Sequence, residues 1–181
     1  MTTILDLVAD LPVFPVDDRG FYHNMMSLII SQRIRFTHGR KIRERIYKIL
    51  GEFKLDKIME LTEENRTKAG LLPAKWEIMK NFHAAWGKTR AEGVEQFHSV
   101  VGIGEWTIAC AKIMSGDYSC GFIAGDLAVR KRLSEMLNIP RLTEKSTKKL
   151  IATWKCNDRP VTTDEKGIIF SKIWNSTRGT V

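Results

Sequence analysis

The chain has 181 residues, 43% of them hydrophobic, which is enough to bury a core without help from disulfides, metals or partner chains. Its 29 Lys and Arg against 21 Asp and Glu leave a net charge of +8, and a pI near 9.5 favours polyanionic partners such as nucleic acid. The cysteines, Cys110, Cys120 and Cys156, are too scattered for a disulfide framework or a CxxC metal knuckle, so reduced thiols in an intracellular protein are expected. No run approaches the roughly 20 apolar residues of a membrane span, and the N-terminus lacks a basic stretch followed by an apolar signal core. A soluble protein with no membrane partner is expected.

Helical periodicity dominates and alternating strand-like runs are short or absent, so the pattern predicts an all-α fold of about ten short helices. The first covers Thr3 to Leu11 and stops at Pro12 and Pro15. A longer helix starts near Phe21, places Met25, Leu28 and Ile29 on one face, and ends between Ser31 and Phe36. The next turns Ile42, Ile46, Ile49 and Leu50 inward. Opposite them Arg40, Lys41, Arg43, Arg45 and Lys48 form a basic stripe, read first as the solvated side and second as a phosphate-facing one.

Thr62 caps a helix through Lys68 that Gly70 ends, and Pro73 opens another running to about Trp86. On that helix Trp76, Phe82 and Trp86 read as core. Gln96 to Val100 forms a helical turn, Trp106 to Met114 a helix, Asp126 to Leu137 the next, closed by Pro140, and Thr143 to Trp154 and Thr163 to Trp174 the last two. His23, His38, His83 and His98 have no metal-ligand spacing and receive no role.

Two features carry chemistry. The run Val101-Gly102-Ile103-Gly104-Glu105-Trp106-Thr107 is a glycine hairpin between helical stretches. Without a Cβ, its backbone can approach a phosphate and meet it with amides at a helix N-terminus; glycine pairs also serve close helix packing. Asp126 opens a basic helix. It is either an N-cap accepting exposed amides or a carboxylate that acts on the nucleotide the hairpin grips. The second role needs the carboxyl to open into a solvent-reachable cavity.

Taken together these residues resemble the helix-hairpin-helix (HhH-GPD) DNA glycosylase superfamily. The resemblance spans most of the chain: Leu28-Ile29-Ile30-Ser31-Gln32 in an early helix, Gly70-Leu71-Leu72 followed by Lys75, the hairpin Gly102-Ile103-Gly104, and Asp126 downstream. The most specific piece, Gly102-Ile103-Gly104-Glu105-Trp106-Thr107, is similar to the Gly-Ile-Gly-x-Trp-Thr run of the 3-methyladenine DNA glycosylase II branch. The resemblance implies a two-lobed all-α architecture. One lobe, 20–137, holds the hairpin at about 101–106, and a second is formed by 1–19 with 138–181.

The resemblance also implies a monofunctional enzyme. Bifunctional relatives carry a nucleophilic lysine where this chain has Trp106. In the alkylbase branch an aromatic there stacks on the extruded base, and an electron-rich ring suits a base made cationic by alkylation; a core tryptophan is the other reading. Cys110, one turn on, falls at a pocket position where the branch can carry an aromatic. Asp126 would be the catalytic carboxylate. Gly102, Ile103, Gly104, Thr107, Gln32 and Arg130 would contact DNA. Arg33 follows the Ser-Gln pair where relatives place the wedge that fills the gap left by the flipped base. As an arginine it fills that gap, grips a phosphate, or caps its helix.

The expected partner is double-stranded DNA, bound by a monomer that is cytoplasmic, nucleoid-associated or nuclear. No cofactor is expected; four closely spaced C-terminal cysteines would mark an iron–sulfur cluster, and Cys156 stands alone there. Carbonyls of such a hairpin can hold a monovalent cation. The expected reaction is removal of alkylated bases such as 3-methyladenine in base excision repair. The alternatives are excision of mismatched uracil or thymine or of oxidised guanine, and a noncatalytic DNA-binding module.

Overall fold

Threonine, proline and glycine place most of the helix boundaries. A computed structural model of the chain describes residues 3–52, 55–89, 94–156 and 158–178. In chain order the helices are α1 (Ile4–Val8), α2 (Phe21–Ser31), α3 (Phe36–Leu50), α4 (Glu63–Ala69), α5 (Pro73–Thr89), α6 (Glu105–Met114), α7 (Leu127–Met136), α8 (Glu144–Ala152) and α9 (Thr163–Ser176). Short 3₁₀ turns occupy Ile58–Glu60 and Val94–Ser99. Thr3, Thr62, Thr143 and Thr162 each accept an amide of the helix they open, a contribution of about 1 kcal/mol per cap. Gly51 and Gly70 close α3 and α4 in the left-handed conformation.

Two expectations, the end of the first helix and the exposure of Arg43, are corrected. The first helix stops at Val8, short of Leu11, and Lys172 Nζ donates to the Val8 and Ala9 carbonyls at 3.0 Å, satisfying groups left open at its end. The all-α expectation holds: beside the helices, Lys155–Cys156 pairs antiparallel with Arg159–Pro160 in a two-residue ladder (β1, β2) too short to leave an alternating pattern. Arg43 is not on a solvated face: it is buried, and donates to Ser31 Oγ at 2.5 Å.

The chain divides into two compact units, Asp17–Ala111, and Met1–Val16 with Lys112–Val181. The boundary falls within α6, so 112–137, assigned from sequence to the central lobe, clusters with the termini. In the first unit α2 is the axis: every residue from His23 to Ile30 is buried, so it is covered on all sides, as an apolar helix must be. α3 and α5 pack on it, and Met25, Met26, Ile29, Ile30, Ile46, Met79, Phe82 and Phe97 are fully enclosed. Trp76 is core, and Trp86 stacks on Phe21 and Phe97.

In the second unit α9 packs against α1 and α7. Phe14 N donates to Ser171 Oγ at 2.9 Å, and a Cβ at Gly167 would lie 2.1 Å from the Tyr118 carbonyl oxygen, so only glycine admits that backbone contact. Phe122, Trp154, Phe170 and Trp174 interlock edge-on and stacked. No helix among the described residues is long and apolar enough to cross a membrane.

Candidate nucleic-acid interface and catalytic carboxylate

The hairpin is a tight turn with one residue anchored and its neighbours bare. Ile103 N donates to the Val100 carbonyl at 2.9 Å, closing the turn, and the Ile103 side chain is buried. Gly102 has φ +90°, and a Cβ there would sit 2.5 Å from Cγ1 of Ile78 on α5. Only glycine meets both conditions. Gly104 differs: a Cβ there would meet nothing within 4 Å. Its carbonyl accepts from Thr107 N at 3.0 Å and Ile108 N at 3.3 Å, so α6 begins at Glu105 with its N-terminal turn next to an exposed, unobstructed backbone. Such a place suits an anion. Val101, 79% exposed, completes the bare rim.

The end of α2 is tied to this hairpin. Gln32 Nε2 donates to the Gly102 carbonyl and to Thr107 Oγ1, both at 3.0 Å. One hairpin carbonyl that a monovalent cation could use therefore already accepts an amide proton. Arg33 follows at φ +55°, a left-handed conformation that a non-glycine residue adopts only under constraint, and it is exposed. Gln32 and Arg33 are thus brought beside Gly102.

Other expected contacts turn inward. Thr107 is 2% exposed and works as the acceptor for Gln32. Cys110 is fully buried and offers no surface to a ligand in this state. Trp106 is half-buried at the start of α6.

Sequence reasoning gave no site role to Ile78, Lys75 and Leu72, and read Arg43 only as part of a solvated or phosphate-facing stripe. Lys75 Nζ donates to the Ile30 carbonyl and, at 2.7 Å, to that of Gln32, and burial pushes its ammonium down to about 8. Arg43 reaches the preceding turn of α2 through Ser31. Leu72, 56% exposed, opens α5 with its carbonyl accepting from Lys75 N at 3.0 Å. The available signal was a lysine two residues into a helix opened by proline, where it faces back past the helix start.

In the other unit Asp126 is the N-cap of α7. Its Oδ1 accepts from Val129 N at 2.9 Å, so the capping role read from sequence is present. The residue is 8% exposed, not open to solvent as the catalytic reading asked. Gly125 and Leu127 on either side are exposed, Leu127 by 72%, so the carboxyl lies just beneath the surface. Arg130, half-buried, turns Nη1 toward the Leu142 carbonyl at 3.5 Å. Glu144 lies close by, with Oε2 3.8 Å from where a Gly125 Cβ would stand. No group of three His, Cys, Asp or Glu that could hold a metal ion occurs among the described residues.

No protein-family model matches the chain, and no curated protein matches it in sequence. Solved structures do. The 3-methyladenine DNA glycosylase of Schizosaccharomyces pombe, in complex with abasic DNA, superposes with a TM-score of 0.63 at 20% identity, over 81% of this chain and 79% of that one. The DNA-3-methyladenine glycosidase of Bacillus halodurans superposes with a TM-score of 0.65 at 17% identity, over 97% and 88%. At these identities the likeness establishes the fold: this chain has the all-α fold of those two glycosylases.

Proposed function

We propose that the chain is a monofunctional DNA glycosylase that hydrolyses the N-glycosidic bond of alkylated bases such as 3-methyladenine in double-stranded DNA and leaves an abasic site. The observation that carries this reading is the hairpin: Gly102 is held in a conformation only glycine tolerates, Gly104 presents bare backbone, and Gln32 pins the turn to the segment bearing Arg33. That arrangement is a rigid strand grip. The shared fold supports the same reading.

A base inside a duplex offers no path to its glycosidic bond, so the nucleotide must be extruded at a cost on the order of a few kcal/mol, lowest for weakly paired damaged bases. In this proposal the backbone around Gly102 and Gly104 holds the flanking phosphate, Arg33 takes the space or the phosphate beside the extruded nucleotide, and the Trp106 ring offers its face to a cationic base. Departure of the base carries the bonding electron pair to its nitrogen and leaves oxocarbenium character on the sugar. Asp126 is 8% exposed beneath the exposed Gly125 and Leu127, so in this proposal these neighbours must yield when DNA binds; the carboxylate so uncovered stabilises that charge and takes the proton of the water that adds at C1′. An alkylated base leaves already cationic, so no second acid is needed. Trp106 in place of an amine nucleophile means no Schiff base and no strand cleavage.

The test is release of free base from duplexes carrying single defined lesions. Alkylated purines are expected to be excised and intact duplex to survive. Asp126→Asn keeps a side-chain oxygen able to cap α7, so it should retain stability and abasic-duplex affinity while losing base release by about 100-fold or more. Excision at the wild-type rate by this variant would overturn the mechanism, and release only of uracil, thymine or oxidised guanine would overturn the substrate.

A further inference from the structure

We propose that Lys75 is a positioning residue for DNA engagement: its buried ammonium seizes the last carbonyls of α2 and so sets the conformation in which Gln32 and Arg33 are presented beside the hairpin. The inference rests on the strand-gripping role proposed above and names the group that maintains it.

The end of α2 poses a physical problem. Its last carbonyls have no partner within the helix, and the chain leaves through Gln32 at φ −53°, ψ 133° and then Arg33 at φ +55°. Helices that end in the left-handed region usually do so at glycine, whereas an L side chain costs on the order of 1 kcal/mol there. A strained residue persists only where its surroundings over-determine it. Here they do. Lys75 Nζ binds the carbonyls of Ile30 and Gln32 on either side of the bend. Arg43 Nη1 binds Ser31 Oγ, which itself donates to the Ser27 carbonyl at 2.9 Å. Two buried cations thus converge on a helix C-terminus, where the helix dipole favours positive charge.

Stability alone does not account for a lysine at this place. Lys75 is 7% exposed, and burial depresses the affinity of its ammonium for the proton; an apolar side chain of similar length would fill the space without that desolvation cost. What an apolar side chain cannot do is hold two carbonyls, one from the end of α2 and one from the residue that leaves it, on a single donor. The backbone so fixed carries the Gln32 amide, whose two hydrogen bonds at 3.0 Å lock the hairpin, and the exposed Arg33. α5 is held to the same frame, because Ile78 on it fills the space over Gly102. Lys75, Gln32 and the hairpin therefore form one chain of contacts within the Asp17–Ala111 unit.

The experiment is a double-mutant cycle on the affinity of the full-length protein for a duplex carrying a tetrahydrofuran abasic analogue, read by fluorescence anisotropy, with folding checked by circular dichroism. Lys75→Met and Arg33→Ala are each expected to weaken binding about tenfold, and the double variant by little more than either, because an unpositioned Arg33 has nothing left to lose. Lys75→Arg, which keeps a cation, should bind within about threefold of wild type and restore the Arg33 dependence. Should Lys75→Met not fold, Lys75→Gln enters the same cycle. Losses that multiply in the double variant, or a neutral variant that binds like wild type, overturn the proposal. Its failure is distinguishable from failure of the glycosylase reading: the cycle is read on binding alone, whereas absence of base release by a wild-type protein that binds the duplex overturns only the catalytic assignment.

Discussion

The side-chain amide of Gln32 donates to the main-chain carbonyl of Gly102 at 3.0 Å, joining the end of α2 to a turn 70 residues further along the chain. A glycine turn is free to move; this one is not, because its carbonyl, its φ and the space above it are each taken up by another element. The same amide reaches Thr107, so the turn and the first turn of α6 move together.

Thr107→Val removes the acceptor and keeps the shape. Because Thr107 is buried, the variant should lose about 1 kcal/mol of stability, the net worth of one internal hydrogen bond, and should also weaken abasic-duplex binding severalfold although the residue never reaches the surface. Urea unfolding and anisotropy measure the two effects. Loss of stability with unchanged affinity would separate the Gln32 link from DNA binding.

The two hairpin glycines should respond differently to alanine. Gly102→Ala forces a Cβ into a positive-φ conformation and against Ile78, and is expected to destabilise by about 2–4 kcal/mol. Gly104→Ala meets no atom within 4 Å and should leave stability within about 1 kcal/mol of wild type. Its methyl group would instead stand where a phosphate approaches, weakening duplex affinity by about fivefold or more. Equal stability losses at the two positions would contradict the geometry.

Acid should destabilise the protein through His23. This imidazole is fully buried and accepts from Leu55 N at 3.1 Å. Burial foremost, with the Arg19 guanidinium, pushes it down to about 4 from 6.5. Between those values the unfolded chain binds a proton the folded one does not, so stability is full above pH 6.5, falls as pH drops toward 4, and levels off below. His23→Asn, with an oxygen able to accept from Leu55, should show a shallower decline over that window in urea midpoints; parallel curves for the two proteins would refute the assignment.

Lys75 predicts the opposite limb. Its ammonium is lowered to about 8 from 10.5, so between those values the unfolded state holds the proton more tightly and the stability difference between wild type and Lys75→Met should shift in favour of wild type as pH rises from 8 to 10.5. Below pH 8 the difference should be constant. Thermal midpoints across pH 7–10 measure it.

Much of this molecule is decided by neighbours in sequence. Thr62 and Gly70 bound α4, Pro73 opens α5, and Asp126 caps α7, because each acts on backbone groups within three or four residues of itself. The glycine pair at 102 and 104 and the apolar run of α2 are likewise legible as a turn and a core helix. The stripe on α3 read as solvated, yet Arg43 is buried, since what lies over a helix face is set by whichever element packs there. The division of the chain at Ala111 was hidden for the same reason: α7 joins the termini through contacts with α9, far away in sequence. So were the roles of Lys75, Ile78 and Thr107. Hydrophobic period and capping chemistry are short-range and survive in the sequence, whereas the partner of a carbonyl, the burial of a threonine and the space above a glycine depend on segments brought together only when the core closes.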